Sequence, residues 1–381
     1  MTRAASIAIV CALLVATRAL AQLPQSMTTL ELGAPGPHWV WIDDEAFYAE
    51  TDGRAYLVDA DSGEMLGMLS TGLQFQNLQF PRAYDHIYSA ETYYSRGTRG
   101  ERTDVISIYD PHTLAPEGEI VIPAKRQNGV PIPSFTGMTD DDRFMMVYNF
   151  TPKQSVTVVD VVARTVAAEI ATPGCALVYP GGVRRFAMLC GDGALLTIDL
   201  ADDGSEQSRS RSTPFFDLRS DPVAEQGVRL GSSWLFVSFA GMIHSVDLAD
   251  AQPRFGTPWS IVTDSERRAG WRISGAVHLT VHEASHGLYI LMHRGGPETR
   301  KAPGTEVWVF AAAGGPRLRR IRLVEPGNAF EVTPDAAPLL ITTKGENTAA
   351  VYDAVSGRHL RTIRELGLTH SLIQALPVRT P

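Results

Sequence analysis

Short hydrophobic runs that end in an aspartate recur along the chain. Each consists of two or three β-branched or aromatic residues, an aspartate, a few turn residues and a second run of the same kind. The aspartate positions are Asp59, Asp110, Asp160, Asp199, Asp247 and Asp353, with Ala311 in place of an aspartate in the sixth unit. Neighbouring positions are 39 to 64 residues apart, and no helical periodicity lies between them. Seven units of this length predict the four-stranded blades of a β-propeller.

We therefore predict an all-β, seven-bladed β-propeller over residues 22–381, with no second domain. The aspartates are expected to be structural, because Asp59 and Asp353 are each followed four residues later by a glycine, as a strand-ending turn favours. Because a closed propeller leaves no long exposed sheet edge, residues 28–32 and 371–377 should complete one blade together. The longest interval, between Asp247 and Ala311, predicts an insertion.

The first 21 residues have the pattern of a secretory signal peptide. A short cationic start precedes an apolar run, residues 4–16, that is too short to span a bilayer, and Ala19-Leu20-Ala21 has the small-x-small pattern of a cleavage site. A lipoprotein is the weaker interpretation, because no small residue stands directly before Cys11. We predict a mature chain that begins at Gln22 and is soluble in the periplasm.

Composition and charge exclude several classes of protein. The chain has 381 residues, of which 44% are hydrophobic and 20% charged, so it is too apolar for a disordered protein. Lys and Arg number 34 against 42 Asp and Glu, and no basic run stands apart. This balance argues against binding to nucleic acid.

Only Cys175 and Cys190 remain after removal of the signal peptide. Each lies beside a strand-like stretch, with Pro180-Gly181-Gly182 between them, so an antiparallel hairpin would bring the two together. In an oxidising compartment we expect them to form a disulfide. The alternative is a pair of buried thiols, and a metal site would need more ligands.

The segment from His282 to His286 matches the H-E-x-x-H pattern of zinc proteases. That pattern binds zinc on a helix, whereas here strand-like residues lie on both sides and Gly287 follows. We therefore predict a hairpin turn and no metal, and we interpret His278 and His293 as ordinary blade residues.

Other charged segments give weaker indications. The pair Asp43-Asp44 and the run 140–142 resemble solvated turns. Nucleophile-elbow, P-loop and dinucleotide-binding motifs are absent from the sequence. One segment mixes cationic and aromatic residues, namely Tyr94, Arg96, Arg99 and Arg102. It is either a solvated loop or a contact with a partner protein, where Arg and Tyr are favoured.

Several segments spread over nearly the whole mature chain carry a family resemblance. They are residues 94–110, Gly174-Cys175, Cys190-Gly191-Asp192-Gly193, Pro258-Trp259-Ser260, Trp271, Met292-His293, Lys301-Ala302-Pro303 and Glu306-Val307-Trp308-Val309. Together they resemble the heavy subunit of tryptophan tryptophylquinone-dependent amine dehydrogenases. Ser208-Arg209-Ser210 is similar to the aromatic amine (aralkylamine) dehydrogenase branch, which is related to methylamine dehydrogenase. The chain departs from the family pattern at Ile273-Ser274-Gly275 and Thr299-Arg300-Lys301, within the insertion.

The resemblance implies a non-catalytic heavy subunit, with no catalytic residue, cofactor or metal in this chain. Tryptophan tryptophylquinone would belong to a separate light subunit, in an assembly of two heavy and two light chains. The complex would oxidise primary amines to aldehyde and ammonia and pass electrons to a small blue copper protein. The alternative is a free-standing periplasmic propeller that binds or hydrolyses a small molecule in its central funnel.

In the related heavy subunits a loop of the first blades reaches towards the quinone, and residues 73–77 resemble it. Leu73 and Phe75 alternate with Gln74 and Gln76, so one face of the segment could present apolar bulk to a bound amine. The alternative is ordinary blade packing, which is the usual place of an aromatic residue in a β-rich chain. We predict Leu73 and Phe75 as substrate-entrance residues.

Overall fold

The computed structural model describes residues 31–45, 52–73, 75, 77–127 and 129–377. The predicted signal peptide, residues 1–21, and its cleavage site lie outside the described residues. The described part of the chain forms seven separate antiparallel sheets of four or five strands. This confirms the seven-bladed β-propeller.

The strands are numbered in chain order. The first half comprises β1 (Trp39–Asp44), β2 (Arg54–Asp59), β3 (Met65–Ser70), β4 (Leu78–Gln79), β5 (Ile87–Tyr94), β6 (Arg102–Tyr109), β7 (Pro116–Ile122), β8 (Thr136–Met138), β9 (Phe144–Asn149), β10 (Ser155–Asp160), β11 (Thr165–Ala171), β12 (Cys175–Pro180), β13 (Arg185–Cys190), β14 (Leu195–Leu200) and β15 (Glu206–Arg211). The second half comprises β16 (Val223–Leu230), β17 (Ser233–Ser238), β18 (Met242–Asp247), β19 (Arg254–Phe255), β20 (Trp259–Ser260), β21 (Trp271–Ile273), β22 (Leu279–His282), β23 (Gly287–Arg294), β24 (Gly304–Ala311), β25 (Arg319–Gly327), β26 (Ala329–Val332), β27 (Leu339–Thr343), β28 (Ala349–Asp353), β29 (His359–Ile363) and β30 (His370–Ala375).

Among the residues that the structure describes, the helices are few and short. They are α1 (Asp264–Arg268) and three 3-10 turns, Pro133–Phe135, Glu283–Ser285 and Pro297–Thr299. None of the helices in the described part of the chain is long and apolar enough to cross a membrane.

The blades follow one another along the chain, except where the ring closes. Blades 2, 3, 4 and 7 use four consecutive strands each, β4–β7, β8–β11, β12–β15 and β26–β29, while blades 5 and 6 use β16–β20 and β21–β25. Blade 1 combines β1–β3 with β30, and the innermost strands of neighbouring blades contact one another around the axis.

The closing blade corrects one prediction. The tail does supply a strand, since β30 pairs antiparallel with β1. Its partner, however, begins at Trp39 rather than in residues 28–32, of which 31 and 32 are outside any strand and the rest lie outside the described residues. Residues 39–42 are a continuous apolar and β-favouring run, and the strand they begin is buried on both faces, which residues 31 and 32 cannot provide.

The recurrent aspartates lie on the third strand of each blade, counted from the axis. Asp110 accepts hydrogen bonds from the backbone N–H groups of His112 (2.7 Å) and Thr113 (2.8 Å), and Asp353 does the same for the residues two and three positions on. Asp59, Asp160 and Asp247 cap the turns after their strands in the same way, whereas Asp199 accepts from Arg185 Nε (2.6 Å) and Ser208 Oγ (2.7 Å). All these contacts are local to the blades, which confirms the structural interpretation.

The predicted insertion lies between blades 5 and 6. It contains β19, β20 and α1, and the helix begins with a capping box in which Thr263 and Glu266 exchange side-chain and backbone hydrogen bonds. The extra strands β20 and β22 give these two blades five strands each.

Asp43 and Asp44 are not solvated, which corrects the prediction from the sequence. They form the end of β1 and are 1% and 0% exposed. The sequence pattern of the pair resembles a turn. It does not show that β30, about 330 residues further along the chain, pairs with β1 and covers it. The run 140–142 does lie in a turn, where Asp140 is paired with Arg229 (2.5 Å).

Candidate functional site

Two opposite faces of the propeller carry different features. Residues 71–77, between β3 and β4, and residues 95–101, between β5 and β6, lie on the same face, which we call the hairpin face. The aspartate turns and the Glu283–Ser285 turn lie on the opposite face, which we call the turn face. The structure thus brings the predicted entrance residues and the predicted partner contact together on blade 2.

The backbone joins the entrance segment to the hairpin. Leu73 donates its N–H to the carbonyl of Thr92 (2.8 Å) on β5. Leu73 is buried, whereas Phe75 is half-buried, and Gln74 and Gln76 lie outside the described residues. Of the two predicted entrance residues, Phe75 is therefore the one whose side chain still reaches the surface.

The hairpin tip presents two cationic side chains that have no ion pair with any residue that the structure describes. Arg96 and Arg99 are exposed, and the tip is closed by a bond from the N–H of Arg96 to the carbonyl of Arg99 (3.0 Å). Gly97 and Gly100 adopt positive φ values of 73° and 105° there. These glycines allow the tight return of the chain and hold the two arginines away from the body of the blade.

Arg102 has a different environment from the other two arginines. Its Nε and Nη2 groups donate to the two carboxylate oxygens of Asp104, at 2.8 Å each, and Nη2 also donates to the carbonyl of Arg126 (2.8 Å). Asp104 is fully buried. A bidentate pair of this kind fixes the side chain, so Arg102 stabilises the base of the hairpin.

Arg126 connects the entrance segment to the hairpin, and sequence analysis did not identify it. It is 4% exposed, and it donates from Nη1 to the carbonyl of Phe75 (3.1 Å) and from Nε to Oγ1 of Thr92 (2.8 Å). Burial lowers the pKa of Arg126 to about 10, while the charges of Asp104 and Glu91 act in the opposite direction. The guanidinium therefore remains charged at neutral pH and anchors the backbone of Phe75.

A buried carboxyl group supports the hairpin from within the blade. Glu91 accepts hydrogen bonds from Ser107 Oγ (2.6 Å), Tyr93 (2.5 Å) and Tyr109 (2.9 Å). Burial raises the pKa of Glu91, although these hydrogen bonds lower it. The ring of Tyr93 is 41% exposed, so its hydroxyl is held inside while part of the ring faces solvent.

The histidine segment on the turn face has the geometry predicted for it. Residues 283–285 form a 3-10 turn between β22 and β23, and His286 is left-handed with φ 51°. Both ring nitrogens of His282 are hydrogen-bonded, Nδ1 to Ser285 Oγ (2.7 Å) and Nε2 to the carbonyl of Asp335 (2.8 Å). His278 is also a buried blade residue, and burial lowers its pKa.

Comparisons with known proteins agree on one family. A family model described as methylamine dehydrogenase heavy chain (MADH) matches residues 37–376. The methylamine dehydrogenase heavy chain of Paracoccus versutus is 29% identical over 353 residues, which cover 89% of this chain and 79% of that protein. The same subunit of Methylophilus methylotrophus is 29% identical over 321 residues, covering 84% and 78%.

A solved structure supports the fold alone. Dihydro-heme d1 dehydrogenase NirN, in complex with DHE, superposes with a TM-score of 0.56 at 14% identity, covering 94% of this chain and 79% of that one.

Proposed function

The chain belongs to the methylamine dehydrogenase heavy chain family, and on that premise we propose that it is the heavy subunit of a periplasmic quinoprotein amine dehydrogenase. The observation that carries the proposal is the family match over residues 37–376, which spans all seven blades. In the complex, primary amines are oxidised to aldehyde and ammonia. The tryptophan tryptophylquinone belongs to the light chain, so this subunit acts by binding the light chain and by shaping the substrate entrance.

The hairpin face of blade 2 is the proposed contact with the light chain. Exposed Arg96 and Arg99 lie at the tip of the same hairpin as half-buried Tyr94 and partly exposed Tyr93, and Arg and Tyr are enriched at the centres of protein interfaces. The base of this surface is rigid, since Arg102 and Asp104 are locked in a bidentate pair. A rigid surface loses little conformational entropy on binding.

Phe75 is the proposed entrance residue. Its carbonyl is held by Arg126 while its side chain is half-buried at the surface. An aromatic ring on a fixed backbone can exclude water and limit the size of an entering amine. The family match favours amines in general, and the similarity of residues 208–210 to the aromatic branch leads us to propose that aromatic amines are among the substrates.

The remaining parts of the proposal follow the family. We propose an assembly of two heavy and two light chains and a small blue copper protein as the electron acceptor. The disulfide between Cys175 and Cys190 is consistent with an oxidising compartment such as the periplasm.

Purification of the tagged chain from its native host tests the proposal. We expect a smaller chain to co-purify, with a quinone absorbance that bleaches on addition of a primary amine, and amine-dependent reduction of an artificial electron acceptor. The double variant Arg96→Glu/Arg99→Glu should weaken recovery of the small chain by about tenfold or more, as for loss of central interface arginines. Arg322→Glu is the control, because Arg322 is exposed on the outer strand β25 of blade 6.

The outcomes separate the two claims. If no smaller chain and no amine-dependent activity accompany the wild-type protein, the heavy-subunit assignment is wrong, and a free-standing propeller becomes the better description. If both are present but the double variant behaves like Arg322→Glu, only the placement of the interface is wrong.

A further inference from the structure

A cavity on the propeller axis opens at the turn face, away from the hairpin face. Its two overlapping parts measure about 730 and 570 Å³ and share a mouth lined by Arg82, Arg229, Trp234 and Glu283. The inner part is walled by innermost strands of blades 1, 5, 6 and 7. These volumes are in the range of small-molecule binding sites.

Glu331, on the innermost strand β26, lines this cavity. Its Oε1 accepts hydrogen bonds from Thr280 Oγ1 and from the backbone N–H of Val332 (2.8 Å). Within the described ranges, no side chain or backbone group donates to Oε2, and no cationic side chain is paired with Glu331. One oxygen is thus fixed and the other is available to a ligand.

The lining around this carboxyl group mixes apolar and polar side chains. Val281, on the neighbouring strand β22, is half-buried and faces the cavity together with Trp234 at the mouth, while Thr280, Gln226 and Gln374 are polar. Leu279, Leu372 and Ile373, from the strands on either side of β26, are packed into the blade interfaces behind this lining. An ionised carboxylate in such surroundings is costly unless a cation or a hydrogen-bond donor accompanies it. A ligand that brought both an apolar body and a positive charge would match the cavity on both counts.

We propose that the turn-face cavity is a binding site for a small organic ammonium ion, whose N–H group donates to Oε2 of Glu331 while its apolar part lies against Val281 and Trp234. The site is formed by this chain alone. It therefore does not depend on the proposed light chain or on amine oxidation.

The other charged groups of the cavity already have hydrogen-bond or ion-pair partners, or lie at the exposed mouth. Arg229 donates to both carboxylate oxygens of Asp140 (2.5 and 2.8 Å), and the guanidinium of Arg82 lies 3.9 Å from the same carboxylate and is mostly exposed. Glu283 accepts from the N–H of Gly231 (3.3 Å) at the mouth. On the adjoining strand β22, both ring nitrogens of His282 are hydrogen-bonded, to Ser285 Oγ and to the carbonyl of Asp335.

Binding should be stronger at higher pH. Burial raises the pKa of Glu331 to about 7, although its hydrogen bonds with Thr280 and Val332 lower it. The carboxylate form, which attracts the cation, is therefore the minor form at pH 6 and the major form at pH 8. Over this range the affinity should increase several-fold.

The test uses the full-length protein and the N,N-dimethylbenzylammonium ion, a tertiary cation that cannot form an imine with a quinone. Isothermal titration calorimetry at pH 8 should show one site per chain. The neutral amide N,N-dimethylbenzamide, similar in size, should bind at least tenfold more weakly. Glu331→Gln should weaken binding of the cation at least tenfold, while Glu119→Gln, on the exposed outer strand β7, should leave it unchanged.

Each outcome decides the proposal. Binding that is lost in Glu331→Gln, kept in Glu119→Gln and weaker at pH 6 supports the site. No binding to the wild type, or equal binding in both variants, overturns it. Circular dichroism checks that Glu331→Gln is folded. If that variant is unfolded, Thr280→Val takes its place. Thr280→Val removes the hydroxyl donor beside Glu331 and is expected to change the affinity for the cation. Unchanged affinity there counts against the site.

Discussion

Adjacent side chains of one strand can have opposite electrostatic environments, as Asp43 and Asp44 show. Asp43 lies on the side of Trp41, facing blade 2, and neither of its carboxylate oxygens has a hydrogen-bond partner among the residues that the structure describes. Asp44 faces blade 7 and accepts from the N–H groups of Leu368 (2.8 Å) and Thr369 (2.7 Å). Burial, together with the nearby Glu45, holds the pKa of Asp43 well above its usual value.

Asp43→Asn should stabilise the protein at neutral pH. A raised pKa in the folded state means that ionisation opposes folding, so the free energy of unfolding of the wild type decreases as pH rises above about 4. Asn cannot ionise and so avoids that decrease. We expect the free energy of unfolding of Asp43→Asn to be about 1–3 kcal/mol higher than that of the wild type at pH 7. Chemical denaturation at pH 4 and pH 7 measures it, and the gain should be smaller at pH 4.

Asp44→Asn is the matched control. It weakens acceptance from two backbone N–H groups and should destabilise the protein. If Asp43→Asn also destabilises at pH 7, the Asp43 carboxylate has a stabilising partner and our account of it is wrong.

Phe75→Ala should change substrate preference and leave assembly intact. Removing the ring widens the proposed entrance, so the ratio of kcat/KM on phenethylamine to that on methylamine should change by about tenfold, the effect of one large contact in a specificity pocket. Steady-state kinetics of the complex with its light chain measures the ratio. Leu73→Ala is the comparison, since Leu73 is buried and should affect stability more than the ratio. An unchanged ratio would show that Phe75 is an ordinary packing residue and not an entrance residue.

Several residues of the site could not be predicted from the sequence. The hairpin arginines were predicted as a partner contact because cations and aromatics occur together in one loop, and this stays a prediction. Arg126 was missed, because Lys125-Arg126 resembles a solvated charged pair until Thr92 and the carbonyl of Phe75 are placed beside it. Along the chain, Arg126 is 34 positions from Thr92 and 51 positions from Phe75, so these hydrogen bonds leave no local pattern in the sequence.

At the scale of elements, hairpins and their turns were the features best predicted. Cys175 and Cys190 are directly paired across β12 and β13, as the spacing around Pro180-Gly181-Gly182 indicated, and they form a disulfide. The strand context of the histidine segment likewise predicted its turn. These outcomes depend on sequence-local interactions, which a single chain reveals.

Replacing both cysteines with serine should lower stability without abolishing the fold. The disulfide closes a loop of 15 residues, for which loop entropy gives about 3 kcal/mol, while the remaining blades keep their own hydrogen bonds and cores. Thermal unfolding followed by circular dichroism should show a lower midpoint and an unchanged native spectrum. The wild type under reducing conditions should behave like the double variant, and an unchanged midpoint in both would show that the bridge contributes nothing.

At the scale of the whole molecule, repetition made the architecture predictable. Seven similar units, each unable to bury its faces alone, require stacking into a ring, and apolar clusters do lie between neighbouring blades, as Val40 and Ile341 illustrate between blades 1 and 7. The partner and the substrate are not set by that repetition. We propose that they depend on the loops of the hairpin face around blade 2.

The pairing of β30 with β1 also affects the order in which the blades fold. Blades 2 to 7 each take their strands from one continuous stretch of the chain. The edge of β1, by contrast, stays unpaired until β30, some 330 residues further along the chain, joins it. Closing so long a loop is slow, and an open strand edge invites pairing with other chains in the interval. We therefore expect this protein to be most prone to aggregate before blade 1 closes.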